Sequence, residues 1–156
     1  MSLDASKDLP RVLLLIDASR GWGRGLLQGI SKYVELHGIW TFYREPPYFA
    51  QPFGNLIKRI LEWKPDGIIT REIPGMMDHI LEMNVPTIVD PYTSKELPGF
   101  ANLVNDSRAI GVMAAEHLLE LGLTHFAYCG FATPYWSQER GEEFRKRIAK
   151  NGYETN

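Results

Sequence analysis

The chain has 156 residues, enough for one ordinary domain with a real core, and its 44% hydrophobic and 23% charged content excludes disordered and fibrous classes. A net charge of −2 leaves no electrostatic footprint for nucleic acid, and the one basic cluster, Arg145-Lys146-Arg147, shares its helix with Glu142 and Glu143 as a solvated face. The single cysteine, Cys129, rules out an intrachain disulfide framework, and no apolar run is long enough to span a membrane. Residues 1–10 lack the basic start and apolar run of an export signal. They are expected to be disordered or to derive from cloning. A cytoplasmic location is therefore expected.

In chain order, residues 11–17 (RVLLLID) form a nearly unbroken apolar run, which predicts a strand covered on both faces and near the centre of its sheet. Residues 22–37 place Leu26, Leu27, Ile30, Tyr33 and Val34 at helical spacing, and Gly38 stops that helix. The β-branched and aromatic residues 39–44 predict a second strand. A proline-rich loop leads to a helix over 54–64 with Leu56, Ile57, Ile60, Leu61 and Trp63 facing inward. Strand 68–70, a helix over 75–83 and strand 86–90 follow. The polar stretch 91–101 is either a surface loop or the approach to a crossover into a second sheet. After a strand-like 102–104 come helix 107–121, strand 126–130 and helix 138–150. Gly or Asn follows each of four helices, where a left-handed C-cap is needed. Strand–helix alternation with such short links implies the α/β class with a parallel, doubly wound sheet.

In such sheets ligands bind where loops leave the carboxyl ends of the strands. Here those loops carry Arg20, Trp22, Arg24, Tyr48, Phe49, Tyr92, Phe131, Tyr135 and Trp136. An aromatic ring stacks on the C–H face of a sugar, while guanidinium and carboxylate groups take its hydroxyls. Half-exposed lid aromatics are the alternative account. Gly21-Trp22-Gly23-Arg24-Gly25 is not a dinucleotide fingerprint, because Leu26 stands where the third glycine is needed, although Glu45 imitates the ribose-binding acid. Gly25 and Gly29, four apart, suggest close helix packing. His37, His79, His117 and His125 lack metal-ligand spacing, and no serine sits in a nucleophile elbow. Cys129 reads as a small buried apolar residue. Asp17 and Asp90, each ending a strand, suit ligand carboxylates and loop caps equally. No nucleophile–base or acid–base pair emerges, so no catalytic residue, metal or cofactor is expected.

Residues 102–150 resemble the LacI/GalR-type effector-binding domain, a relative of periplasmic sugar-binding proteins. The pattern is an aspartate, a glycine five residues on, a leucine-rich helix end with glycine, an apolar strand, and an arginine four residues before an aromatic. Here these are Asp106, Gly111, His117-Leu118-Leu119 with Gly122, residues 126–130, Arg140 and Phe144. The family has glycine before that aromatic, where this chain has Glu143. Gln28-Gly29-Ile30 resembles the family's opening unit, and ASRGWGR, DGIIT and WSQER resemble regulators that join such a domain to a C-terminal AraC-type DNA-binding domain.

The resemblance implies a first lobe over 11–105 and the start of an incomplete second lobe over 106–156. A small sugar such as a pentose would lie in the cleft between them, and DNA would be bound only through a domain missing from this chain, in a homo-oligomer. It implies that Asp106 and Arg140 read sugar hydroxyls, with Asp17, Ser19, Trp22 and Arg24 beneath the ring and Trp136 beside it. Asp106 also suits a helix cap. Arg140, expected at a helix start where the dipole disfavours a cation, needs a partner: a ligand, or Glu139, Glu142 or Glu143. If the second lobe is incomplete, Leu118, Phe126, Phe144 or Ile148 should expose apolar surface. The leading expectation is the effector-sensing domain of a bacterial transcription regulator. A transport-type sugar-binding protein and an enzyme on a flavodoxin-like sheet are the alternatives.

Overall fold

The computed structural model describes residues 9–45 and 53–156. The N-terminal residues 1–8 and the predicted loop residues Tyr48 and Phe49 lie outside the described residues. The described elements are β1 (Arg11–Leu15), α1 (Gly21–His37), β2 (Thr41–Arg44), α2 (Phe53–Trp63), β3 (Gly67–Arg71), α3 (Met77–Glu82), β4 (Thr87–Asp90), β5 (Ala101–Asn102), α4 (Ser107–Glu120) and α5 (Tyr135–Lys150). They fall into two compact units, Met1–Asp90 with Pro98–Asn102, and Pro91–Leu97 with Leu103–Asn156.

The first unit is a five-stranded sheet in the order β2-β1-β3-β4-β5, and every pairing in it is parallel. The strand at its centre is β3, and β1 is paired directly with it, near the centre as expected. β1 is one in from the β2 edge, because the chain moves outward once and then returns past β1 for all later strands. Right-handed crossovers therefore put α1 on one face and α2 and α3 on the other. On the α1 face, Val12, Leu14 and Ile16 pack with Leu26, Leu27 and Ile30. On the opposite face Leu13, Leu15, Ile68, Thr70 and Val89 are all buried. Of the residues expected on the inner side of α2, Leu56 and Ile60 are buried, but Leu61 is 56% exposed. Pro10 belongs to the ordered structure rather than to a disordered tail, since its carbonyl accepts from Thr41 N at 2.8 Å.

The α1 face is covered unevenly. Ile88 on β4 is 43% exposed, and with Val12, Trp40, Ile69 and Phe100 it lines a groove of about 800 Å³. That groove reaches Pro10, Gly67 and Pro86 at the amino ends of the strands, away from the polar loops.

In the second unit α4 and α5 pack around Ala115, Phe126, Phe144 and Ile148, all buried, with Leu118 half-buried beside them. Leu118, Phe126, Phe144 or Ile148 was expected to be exposed, and none of the four is; the exposed apolar side chains here include Met113, Leu121, Leu123 and Phe131. The strand expected over 126–130 is a single parallel bridge, Phe126 to Thr155. Among the described residues its ladder bonds are two, linking Tyr128 N and Phe126 O to Asn156. With so little pairing, alternate residues face water, and Cys129 is exposed rather than buried.

The glycines separate into two kinds. A Cβ on Gly111 would collide with the backbone carbonyl of Arg140, and one on Gly23 with that of Asp17. Gly25 and Gly29, expected to allow close packing, have nothing within 4 Å of where a Cβ would stand. Gly111→Ala should therefore cost about 1–3 kcal/mol, since rigid backbone must move to admit it. Gly25→Ala and Gly29→Ala should each stabilise by roughly 0.5–1 kcal/mol, from helix propensity alone. Urea unfolding of the three variants would check the contrast.

Candidate functional site

The strand order reverses between β1 and β3, and the polar loops leave the sheet at that carboxyl edge. After β1 the chain turns through Asp17. Ser19 donates to it twice, from its backbone N–H to Oδ1 at 2.8 Å and from Oγ to Oδ2 at 2.7 Å. These two bonds hold the Asp17 carboxyl below the ordinary 3.8, the side-chain bond contributing most. Arg24 then reaches back from α1, its Nη1 donating to the carbonyls of Ala18 at 3.1 Å and Ser19 at 2.8 Å. Asp17, Ser19 and Arg24 thus form one closed loop, in which Asp17 acts as a cap and Arg24 as a tie.

Trp22 leads elsewhere. Its indole Nε1 donates to Asp90 Oδ2 at 2.8 Å, across 68 residues of sequence. Arg71 Nε lies 3.8 Å from the same oxygen, because Arg71 and Asp90 are register partners at the ends of β3 and β4. The Asp90 side chain is only 13% exposed. Burial pushes its carboxyl up, against the Trp22 bond and the Arg71 charge. Glu45 is taken up by a separate network, accepting from Tyr43 Oη and, at 2.8 Å, from Arg59 Nε.

In the second unit Asp106 caps α4, accepting from Ala109 N at 2.9 Å through Oδ1. Helix α5 begins at Tyr135, so Arg140 is well inside it and not at its start; the dipole argument for a partner does not apply. A different one does. The Arg140 guanidinium lies 4.9 Å over the Trp136 ring, and its Nε is buried with no hydrogen-bond partner among the described residues. None of the three neighbouring acids pairs with it. Glu139 is taken by Lys95 at 3.0 Å and Arg108 at 3.5 Å, while Glu142 and Glu143 pair with Lys146. Trp136 is itself set by Tyr92 and Phe131, with ring centroids 6.4 and 5.9 Å away.

Each unit therefore gathers its own share of the expected residues: Asp17, Ser19, Trp22 and Arg24 in the first, Trp136 with Arg140 in the second. Sequence reasoning left Asp90 undecided and missed Arg71 and Ser107. The Ser107 hydroxyl is fully buried without a partner among the described residues, next to Asp106 and one turn before Gly111. Only the polar ends of two neighbouring strands could have signalled Arg71, and nothing in the sequence marks Ser107. Among the described residues no group of three or more His, Cys, Asp or Glu is placed to hold a metal ion, and no helix is long and apolar enough to cross a membrane.

No protein-family model matches the chain. It is similar to a xylose operon regulatory protein of Haemophilus influenzae, 27% identical over 151 residues, which is 92% of this chain and 38% of that protein. The chain thus spans less than two-fifths of the length of this relative. It superposes on a periplasmic binding protein/LacI transcriptional regulator from Alkaliphilus metalliredigens, solved with D-xylulofuranose, with a TM-score of 0.70 at 15% identity over 94% of this chain and 55% of that one. Against AraP, an arabinose binding protein from Geobacillus stearothermophilus, the TM-score is 0.74 at 18% identity, over 96% and 54%. The fold is the periplasmic-binding-protein-like fold of LacI-type regulators, and the proteins matched are named as regulators and sugar-binding proteins.

The Asp17 loop generates a test of its own. A carboxyl held below its unfolded value stabilises the fold above pH 3.8 and loses that contribution as pH falls through the depressed value. Ser19→Ala should cost less than about 1 kcal/mol at neutral pH, because the loop is partly exposed and solvent screens the charge. The difference from the unsubstituted protein should vanish in acid, as urea unfolding at pH 7 and below pH 3.8 would reveal.

Proposed function

We propose that this chain is the sugar-sensing part of a bacterial transcription regulator and that Arg140 reads the sugar. The observation that carries the proposal is the unpaired Nε of Arg140, buried beside Trp136 with three glutamates close in sequence and all of them engaged elsewhere. A buried donor without a partner costs about 1–3 kcal/mol, more when charged. A ligand hydroxyl supplies the missing acceptor. Trp136 supplies the apolar face on which a sugar ring stacks. In the first unit, taken by itself, Trp22 offers an aromatic face, Asp17 a carboxylate and Ser19 a hydroxyl, and Arg24 ties their loop. Asp106 keeps one carboxylate oxygen for a ligand while the other caps its helix.

A pentose is the ligand this reading favours. The relative is named for a xylose operon, and the two structural neighbours are named for D-xylulofuranose and arabinose, all five-carbon sugars. Contact with DNA would fall to the remainder of a longer, homo-oligomeric protein, with an AraC-type module as the expected reader. Sugar would act by shifting the population of a DNA-binding arrangement, with no catalytic step. An exposed free thiol at Cys129 is in keeping with a cytoplasmic location. A transport-type binding protein is the second reading, favoured by the 0.74 TM-score against an arabinose binding protein. Sugar-dependent binding to operator DNA by the full-length protein separates the two.

Replacing Arg140 by Ala in the full-length protein should weaken binding of D-xylose by roughly two orders of magnitude, the worth of two charge-assisted hydrogen bonds. The melting temperature should change little, because the ring stacking lost with the guanidinium is worth about 0.5–2 kcal/mol at most. Titration calorimetry that returned the unsubstituted affinity would remove Arg140 from the site.

A further inference from the structure

Among the described residues, the side-chain hydrogen bonds around the loop after β1 stay within that loop, with one exception. Asp17, Ser19 and Arg24 bond to one another and to loop carbonyls, and Gly23 rests directly on the carbonyl of Asp17. The main chain on the C-terminal side of Trp22 is therefore held at Gly23 and Arg24. The Trp22 side chain alone leaves this knot, spending its only polar atom on Asp90. It is 38% exposed, so one part of the ring lies against the protein and another faces water.

From this geometry we infer that Trp22 is a displaceable internal ligand of Asp90, occupying the carboxylate when sugar is absent and yielding it to a sugar hydroxyl. The inference rests on the sugar-sensing reading and names how that site is regulated. An indole N–H is a donor only, as a sugar hydroxyl can be, and the two approach a carboxylate at overlapping distances. Asp90 is mostly shielded from water, which makes an unfilled oxygen costly and a placeholder useful. Burial already pushes its carboxyl up, so loss of the indole bond is felt at once. Arg71, 3.8 Å from the same oxygen, is too far for a good hydrogen bond and holds the charge without filling the position. Since the backbone is pinned, the exchange is a rotation of the Trp22 side chain. Its freed ring can then turn a face toward the sugar it has admitted.

A placeholder competes with the ligand, and removing it tightens binding. Trp22→Phe keeps an aromatic ring and deletes the N–H. In the full-length protein it should bind D-xylose roughly tenfold more tightly, the scale of one charge-assisted hydrogen bond withdrawn from the competition. A residue that only stacks on sugar or only supports the fold would give equal or weaker binding on the same change, and that result overturns the inference while leaving the sugar-sensing function intact. The second measurement needs no variant to bind. In nuclear magnetic resonance spectra of the unsubstituted protein, the Trp22 indole proton, identified by its absence in Trp22→Phe, should move on saturation with D-xylose as it leaves the carboxylate. An indole proton that stays in place at saturation also overturns the inference. If the unsubstituted protein binds neither D-xylose nor L-arabinose, the sugar-sensing reading falls and the placeholder falls with it.

Discussion

The first turn of α1 sits directly on the carbonyl of Asp17, a contact that only a residue without a side chain at position 23 permits. Much of the first unit's polar edge follows from that one approach. It brings Arg24 within reach of the Ala18 and Ser19 carbonyls and leaves Trp22 aimed at the end of β4. Two elements distant in sequence, the β1 loop and the β4 end, are thereby joined through a single indole. The second unit repeats the device with different residues. Gly111 admits the backbone of Arg140, and Gly141 admits the ring of Tyr128, so that α4 and α5 lie close enough to bury the Arg140 Nε. In both units a glycine sets the helix and the helix sets the polar groups.

The parallel order of the sheet does the remaining positioning. Parallel strands carry their carboxyl ends to one edge, and with them Asp17, Arg71 and Asp90. The apolar groove of the first unit opens at the opposite edge, lined by Ile69, Ile88 and Phe100. Apolar and polar surfaces are thus separated. An apolar groove on a parallel sheet is a face that wants a packing partner, since such sheets are covered on both sides, whereas the polar edge holds the shared hydrogen-bonding groups of Asp17, Trp22 and Asp90.

Apolar runs, β-branched and aromatic residues and helical spacing located every helix and, with the strand-like 102–104, all five strands of the sheet to within a few residues. The same signal failed at residues 126–130. Phe126 to Gly130 is apolar enough for a strand, yet a strand needs neighbours, and here pairing amounts to one bridge. Cys129 followed it into error, exposed because the pleat alternates around a single buried Phe126. Gly25 and Gly29 look like a packing motif in the sequence, while the glycines that matter, Gly23 and Gly111, carry no such spacing. Residue type could nominate Trp22, Trp136 and Arg140 for a polar, aromatic site. It could not say that Trp22 bonds to Asp90, or that all three glutamates near Arg140 are engaged by lysine and arginine, since both depend on what distant segments bring.

The chain passes between its two units three times within thirteen residues, after Asp90, after Leu97 and after Asn102. Residues 91–97 accordingly belong to the second unit, fastened there by Lys95 on Glu139 and by Tyr92 on Trp136, although strand β5 of the first unit follows them. No single cut separates such a molecule into its parts. A break after Asn102 strips the excursion of its partners on α5, and a break after Asp90 takes β5 from the edge of the sheet. The two units are thus interleaved along the sequence, and each depends on a stretch of chain that the other interrupts.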